Sequence, residues 1–333
     1  MTLLVSSTNC PAQPRLAAIR LDVAPLAALD DLPHHLYPAD IPLPLQQHPA
    51  YGLAAASLGG NPQRLLVHSG DELLASAVMM HRRFFGLINF TTLFRGPVWL
   101  EPAQADGEKV AILQAISQQY PKWRWRFLAL QPEQADGPAT RSMMTSAGLA
   151  RVMGGFATAW LDLRPPAATL RANMNGKWRN QLVKAEKAKL TVSTGGSKAR
   201  HYGWLLEKET AQRSNRGYSA LPAEFITRYC TAMAGSGKPA ALSISLLEGR
   251  DKIAGGLFLL HGNSATYQVG WTGQRGRQLC AQNLVIFEAV KALKALGISF
   301  LDMGGMNSDT MAGIARFKLG CGAAPHLLSG SWM

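Results

Sequence analysis

Leu65-Leu66-Val67-His68, the turn Ser69-Gly70-Asp71-Glu72 and the apolar run Leu73 to Met80 set a pattern that the chain uses twice. In the second half Ala241 to Leu247, the turn Glu248-Gly249-Arg250-Asp251 and Ile253 to Leu260 repeat it. Both read as β-hairpins, because two strand-forming runs flank a polar turn with glycine at its centre. Each hairpin is followed by a further strand, near Gly96-Pro97-Val98-Trp99 and near Ala265 to Trp271. A helix comes next, Val110 to Gln119 and Leu284 to Leu296, and then a strand, Trp125 to Leu130 and Ser299 to Met303. Each half closes on a short helix ending in glycine, with Gly148 and Gly320 in matching roles. This order predicts an α+β layer used twice.

The proline pair of Asp162-Leu163-Arg164-Pro165-Pro166 stops regular structure and marks the boundary. The predicted domains are a loose N-terminus at 1–14, an N-terminal domain at 15–164 and a C-terminal domain at 165–333. Residues 22–50 carry many prolines and three histidines, and read as a punctuated loop with short helices rather than a metal site. Between the halves, Leu170 to Leu190 reads as one helix, with Trp178, Leu182 and Ala185 on a shared apolar face.

Charge adds a second layer. The 333 residues are 47% hydrophobic and 17% charged, which describes a folded protein, and carry a net charge of +13. From Arg171 to Arg216 there are eleven Lys or Arg against three Glu, a net of +8. An anionic partner fits such a stretch: RNA, a phosphate-bearing substrate or a membrane surface. Lys177, Arg179 and Lys184 are the candidate anion-binding residues; a solvated helix face is the plain alternative. The four cysteines show no paired spacing, so neither zinc nor a disulfide framework is expected. There is no leader pattern and no apolar run long enough to span a bilayer, which leads to the expectation of a cytoplasmic protein with at most peripheral membrane contact, at the inner face.

The densest chemistry lies at the end: Asp302-Met303-Gly304-Gly305, then Gly313-Ile314-Ala315-Arg316-Phe317-Lys318-Leu319-Gly320. Gly304 and Gly305 permit close approach to the backbone at a strand end, or simply a tight turn. Asp302 can orient a substrate amine or cap the turn after it. Lys318, beside Phe317, can neutralise a developing oxyanion, or sit as a helix-end cation facing the helix dipole.

These pieces, in order, resemble the Fem-type peptidyltransferases, within the superfamily of Gcn5-related N-acetyltransferase (GNAT) folds. The resemblance rests on Lys177-Trp178-Arg179-Asn180, Lys184-Ala185-Glu186-Lys187, Glu209-Thr210-Ala211-Gln212-Arg213 and Ala265-Thr266-Tyr267-Gln268-Val269-Gly270. Asn283 and the Asp302 and Lys318 segments complete it, over about residues 165–325. It implies two tandem acyltransferase-like domains with the active cleft in the second. Lys318 looks like the lysine that stabilises the oxyanion, and Arg213, Tyr218 and Tyr267 look like cleft residues. Asn283, Asp302, Gly304, Gly305 and Phe317 complete the candidate substrate-binding set. The chain departs from the family at Gly320-Cys321-Gly322, where many members have an aromatic, and in lacking an inserted coiled-coil arm.

The expected activity is transfer of an aminoacyl or acyl group to an amine, with no bound cofactor and no metal. The resemblance implies aminoacyl-tRNA as donor, hence tRNA as a partner, and a cell-wall or other peptide-like precursor as the amine-bearing acceptor. The first alternative is an acyl-CoA-dependent N-acyltransferase of a small molecule or polysaccharide precursor. The loop Trp271 to Ala281 has arginines and glycines, but not in the usual spacing of a coenzyme A pyrophosphate loop. The second alternative is a non-catalytic RNA- or membrane-binding protein, for which Trp123, Trp125 and Trp178 beside basic residues are the candidate surface.

Overall fold

Leu65 pairs with Ala77 and Val67 with Ala75 across the first hairpin, and all four side chains are buried in one core. A one-residue slip would turn that whole set towards solvent, so burial fixes the register. The computed structural model describes residues 19–100, 106–216, 221–306 and 308–333, without the side chains of 34, 215–216 and 308–311. The predicted loose segment 1–14 lies outside the described residues.

The first half runs β1 (Ile19–Pro25), α1 (Pro49–Ala56), β2 (Asn61–Ser69), β3 (Glu72–Phe84), β4 (Ile88–Phe94), β5 (Val98–Trp99), α2 (Asp106–Gln118), β6 (Arg126–Gln131), α3 (Pro138–Ser146) and β7 (Arg151–Met153). The second runs β8 (Ala157–Asp162), α4 (Ala167–Asn173), α5 (Gly176–Lys187), β9 (Thr191–Gly195), α6 (Ala199–Arg216), α7 (Ala223–Ala232), β10 (Ala241–Glu248), β11 (Asp251–His261), β12 (Ser264–Thr272), α8 (Gln274–Gln278), α9 (Ala281–Ala295), β13 (Phe300–Asp302), α10 (Ser308–Gly320), β14 (Ala324–Leu327) and β15 (Ser331–Trp332).

Two sheets result, ordered β1-β2-β3-β4-β6-β15-β7, with β5 on β3, and β14-β8-β13-β12-β11-β10-β9. The internal repeat is visible in both. Four antiparallel neighbours lead through a helix to a parallel strand, β4 to β6 in one sheet and β12 to β13 in the other. The fold class is therefore α+β with two GNAT-like halves.

Helices α5 and α9 cover one face of the second sheet, with Trp178, Leu182, Val285 and Phe258 in the shared core. Helices α6 and α7 cover the other, together with Ala50 and Ala54 of α1 from the first half. Each fully buried Leu or Phe in these cores contributes about 1.5–3 kcal/mol.

Several expectations are corrected. The strand that follows the first hairpin is β4, not the segment at Gly96–Trp99, which holds only the short β5. The helix expected over 170–190 breaks in two at Met174-Asn175, where the Asn175 side chain accepts from the Lys177 N–H and starts α5 afresh. Lys189 falls past its end, with φ 52°. Gly148 follows α3 with φ 78°, as a helix-ending glycine does, but Gly320 is still helical. The left-handed residue there is Gly322, φ 96°. Gly320 is small for packing: a Cβ on it would stand 2.8 Å from the Trp178 ring.

Strand pairing also runs across the proline boundary in both directions. β8 lies between β13 and β14 in the second sheet, while Trp332 of β15 pairs with Leu130 in the first.

Candidate active site

β12 and β13 run parallel but pair only over Ser264–Thr266 and Phe300–Asp302, after which β12 continues to Thr272 beside β11 alone. The opening beyond lies past the carboxyl end of β13, beside the part of β12 that β13 no longer pairs with, and ligands of open α/β sheets bind beyond such strand ends. Met303-Gly304-Gly305 follows the end of β13. Gly304 has φ 74°, and a Cβ there would lie 3.5 Å from the Tyr267 carbonyl oxygen and 3.6 Å from Lys318 Nζ. The glycine thus brings bare backbone beside the lysine.

α10 carries Lys318 into this turn. The side chain is buried, and Nζ donates to the Gly305 carbonyl at 2.8 Å. Burial lowers its pKa to about 8 against the opposing pull of Asp302, so the amine remains mostly charged at neutral pH. It is not the solvated helix-end cation of the simpler reading.

Asp302 is fully engaged. Its carboxylate accepts from Arg95 Nη1 at 2.5 Å, Thr158 Oγ1 at 2.6 Å and the Gly304 N–H at 2.8 Å, and it is buried. It caps the turn and anchors it, rather than presenting itself to a substrate amine. Arg95 in turn donates to both carboxylate oxygens of Glu133, at 2.5 and 2.8 Å, and lies over the Trp160 ring. Trp160 Nε1 donates to the same Glu133. Sequence reasoning missed Arg95 and Glu133; the one local signal was an arginine before Gly96-Pro97 at the end of an apolar run.

A cavity of about 1000 Å³ opens on the other side of α10. Phe317, Leu319 and Gly320 line it, and Lys318 points away from it towards the strand ends. Trp178 and Phe317 form one wall, with ring centroids 5.9 Å apart. Lys177, Arg277 and Arg316 supply three cations, and none of the described lining residues is Asp or Glu. The floor is the start of α9, where Cys280, Gln282 and Asn283 meet the cavity. Such a set suits an anion, since a helix start adds to the positive field.

Tyr267 reaches the same place through Gln282. Gln282 Nε2 donates to the Tyr267 hydroxyl at 2.6 Å, and Gln282 Oε1 accepts from Thr272 Oγ1 at 2.6 Å. Burial raises the Tyr267 pKa, which keeps the phenol neutral. Its ring stacks on Phe258 and passes over Gly270, where a Cβ would fall 1.7 Å from the hydroxyl. Asn283 is buried and donates at 3.4 Å to the Trp178 carbonyl, tying α9 to α5.

The other candidates scatter. Arg213 lies on α6, on the opposite face of the sheet, with Nη1 on the Leu221 carbonyl. Tyr218 lies outside the described residues. Of the anion-binding trio, Lys177 lines the cavity, Arg179 donates to the Ala172 carbonyl, and Lys184 is exposed further along α5. Cys321 Sγ meets the Lys318 carbonyl, and burial raises its pKa to about 11, so it is no nucleophile. His326 contacts the Glu133 carbonyl instead of Cys321. No cluster of metal-ligating side chains exists among the described residues.

Comparison with known proteins fits this geometry. Residues 170–319 match the acetyltransferase (GNAT) domain family. A solved structure of FemX matches at TM-score 0.72 and 12% identity, over 87% of this chain and 91% of that one. The chain has a Fem-like GNAT fold. A tandem GNAT protein from the clavulanic acid biosynthesis pathway matches at TM-score 0.55 and 13% identity, over 94% and 98% of the two chains. L-PGS from Bacillus licheniformis matches at 0.50 and 11%, over 85% of each. No curated protein matched in sequence. The chain is thus an acyltransferase through the matched residues 170–319, and no described helix is long and apolar enough to cross a membrane.

Proposed function

We propose that the protein transfers an aminoacyl group from an aminoacyl-tRNA to an amine on a peptide-like acceptor such as a cell-wall precursor. The observation that carries the reading is Lys318: a buried, charged amine held on the Gly305 carbonyl where β12 and β13 part. In the reaction the acceptor nitrogen attacks the acyl carbonyl carbon and forms the new C–N bond. The electron pair of the carbonyl goes to oxygen, where the Lys318 ammonium stabilises the oxyanion. The C–O bond to the donor then breaks, and the proton lost by the nitrogen ends on the departing oxygen. A positive group placed this way is worth about 3 kcal/mol in the transition state.

The cationic cavity supports a phosphate-bearing donor or acceptor, with Lys177, Arg277 and Arg316 as its contacts. An acyl-CoA donor is the second reading. It is supported by the start of α9 beside Arg277, a setting that suits a pyrophosphate, and by the likeness to a tandem GNAT protein. A cytoplasmic setting belongs to the same proposal, and the free thiols of Cys230, Cys280 and Cys321 are what a reducing compartment leaves.

Incubation with labelled aminoacyl-tRNA, in parallel with labelled acetyl-CoA, tests the choice against a pool of extracted amines. Transfer from the tRNA alone supports the first reading. Label moving only from acetyl-CoA overturns it in favour of the second, and no transfer from either overturns both.

A further inference from the structure

At the far end of the first sheet from Arg95, hydrophobic side chains stand in water without cover. The tip of the β3–β4 hairpin is Phe84-Phe85-Gly86-Leu87, where Phe85 is 93% and Leu87 72% exposed. Next to it, where β4 pairs in parallel with β6, the Asn89 N–H donates to the Trp125 carbonyl at 2.8 Å. Trp125 is 60% and Trp123 75% exposed. Isolated exposed apolar residues are ordinary, but four or five together on a protruding edge mark a contact surface.

The backbone strengthens the point. The Phe84–Leu87 turn closes by a bond from the Leu87 N–H to the Phe84 carbonyl, with φ 49° at Phe85 and 69° at Gly86. Two successive positive φ values describe the hairpin turn that favours Asn-Gly. An aromatic residue at its first centre is the wrong choice for folding, since left-handed backbone costs a bulky side chain energy. Trp125 repeats the anomaly with φ 55°. Two neighbouring exposed aromatics are therefore held out at the expense of local stability.

Charge identifies the partner. Arg82, Arg83, Lys122, Arg124 and Arg126 alternate with the apolar residues, and segments 81–90 and 121–127 contain no Asp or Glu. We propose that this edge is a docking surface for an anionic phospholipid bilayer, with Phe85, Leu87, Trp123 and Trp125 entering the headgroup region and the five cations facing lipid phosphates. Tryptophan and phenylalanine flanked by arginine and lysine suit that interface. RNA fits less well. Leu87 offers no stacking face, and the Arg124 guanidinium already covers the Trp123 ring at 4.4 Å. The patch lies at one end of the seven-residue β4 and Arg95 just beyond the other, a separation of about 23 Å. The cleft stays open while the edge is docked.

Flotation with phosphatidylcholine vesicles, with and without phosphatidylglycerol, tests this on the full chain. The wild type is expected to float with the anionic vesicles and to stay behind with the neutral ones. Phe85→Asn should weaken that binding roughly tenfold, and so should Arg82→Gln with Arg124→Gln. Because asparagine suits the turn, Phe85→Asn should also raise the melting temperature, which a structural role for Phe85 would reverse. Wild type that ignores anionic vesicles overturns the proposal. So does Phe85→Asn binding them unchanged, which would trace the binding to overall charge. Loss of tRNA binding in the same variants, without vesicle binding, overturns it in favour of an RNA surface.

Discussion

Arg95 and Asp302 meet at 2.5 Å, and the contact ties the end of β4 in one sheet to the end of β13 in the other. Both side chains are buried. Removing one partner of such a pair leaves the other as an uncompensated buried charge, which costs about 3–5 kcal/mol. Glu133 shares the arginine and softens that loss, so Asp302→Asn should cost on the order of 3 kcal/mol in urea unfolding. Burial alone would raise the Asp302 pKa, but Arg95, the Thr158 hydroxyl and the Gly304 N–H outweigh it and hold the carboxyl below its usual range. A lowered carboxylate pKa stabilises the fold above the unfolded value, about 4, and that contribution is lost as pH falls through the folded one. The wild type should therefore lose more stability than Asp302→Asn between pH 5 and acid, as urea midpoints across that range will show.

Lys318 carries the opposite sign. Its folded pKa of about 8 lies below the ordinary 10.5, so the unfolded chain binds the proton more tightly. The penalty is full below pH 8 and fades as pH rises to about 10.5. At about 1.4 kcal/mol per unit it is on the order of 3 kcal/mol. Lys318→Met should thus be more stable than wild type at pH 7, by about 1–3 kcal/mol, with the gain shrinking towards pH 10. Denaturant midpoints at the two pH values check it.

Gly270 is set by the Tyr267 hydroxyl, which lies 1.7 Å from the Cβ that alanine would add. The Tyr267 ring cannot swing aside freely, being stacked on Phe258 at 5.2 Å. Gly270→Ala should therefore cost about 1–3 kcal/mol by overpacking and break the Gln282 contact. Tyr267→Phe, which keeps the ring, should leave thermal stability closer to wild type than Gly270→Ala does.

The repeat was legible in the sequence because each half carries its own turn signal, Gly70 and Gly249, between runs long enough to be strands. β4 was not, because Phe90, Leu93 and Phe94 are interrupted by two threonines, and the glycine-proline that follows looked like the stronger landmark. Lys318 and Gly304 could be named because strand-end glycines and a lone lysine share one short segment. Arg95 could not, since its partner lies more than two hundred positions away and pairs with it only after both sheets form. The exposure of Phe85 was hidden for the same reason: burial is a property of neighbours, not of the residue.

The cavity charges should act on binding more than on chemistry. Arg277 lines the space and has its Nη1 on the Thr272 carbonyl. Arg277→Gln should raise KM for an anionic substrate severalfold with kcat little changed, and added salt should narrow the gap from wild type. Steady-state kinetics at two ionic strengths decide it.

The most direct test of the account is the turnover of Lys318→Met in acyl transfer from aminoacyl-tRNA, on protein whose fold is verified by unfolding. The account predicts a fall in kcat of about a hundredfold to a thousandfold, with KM close to wild type. A variant that turns over at the wild-type rate would contradict it.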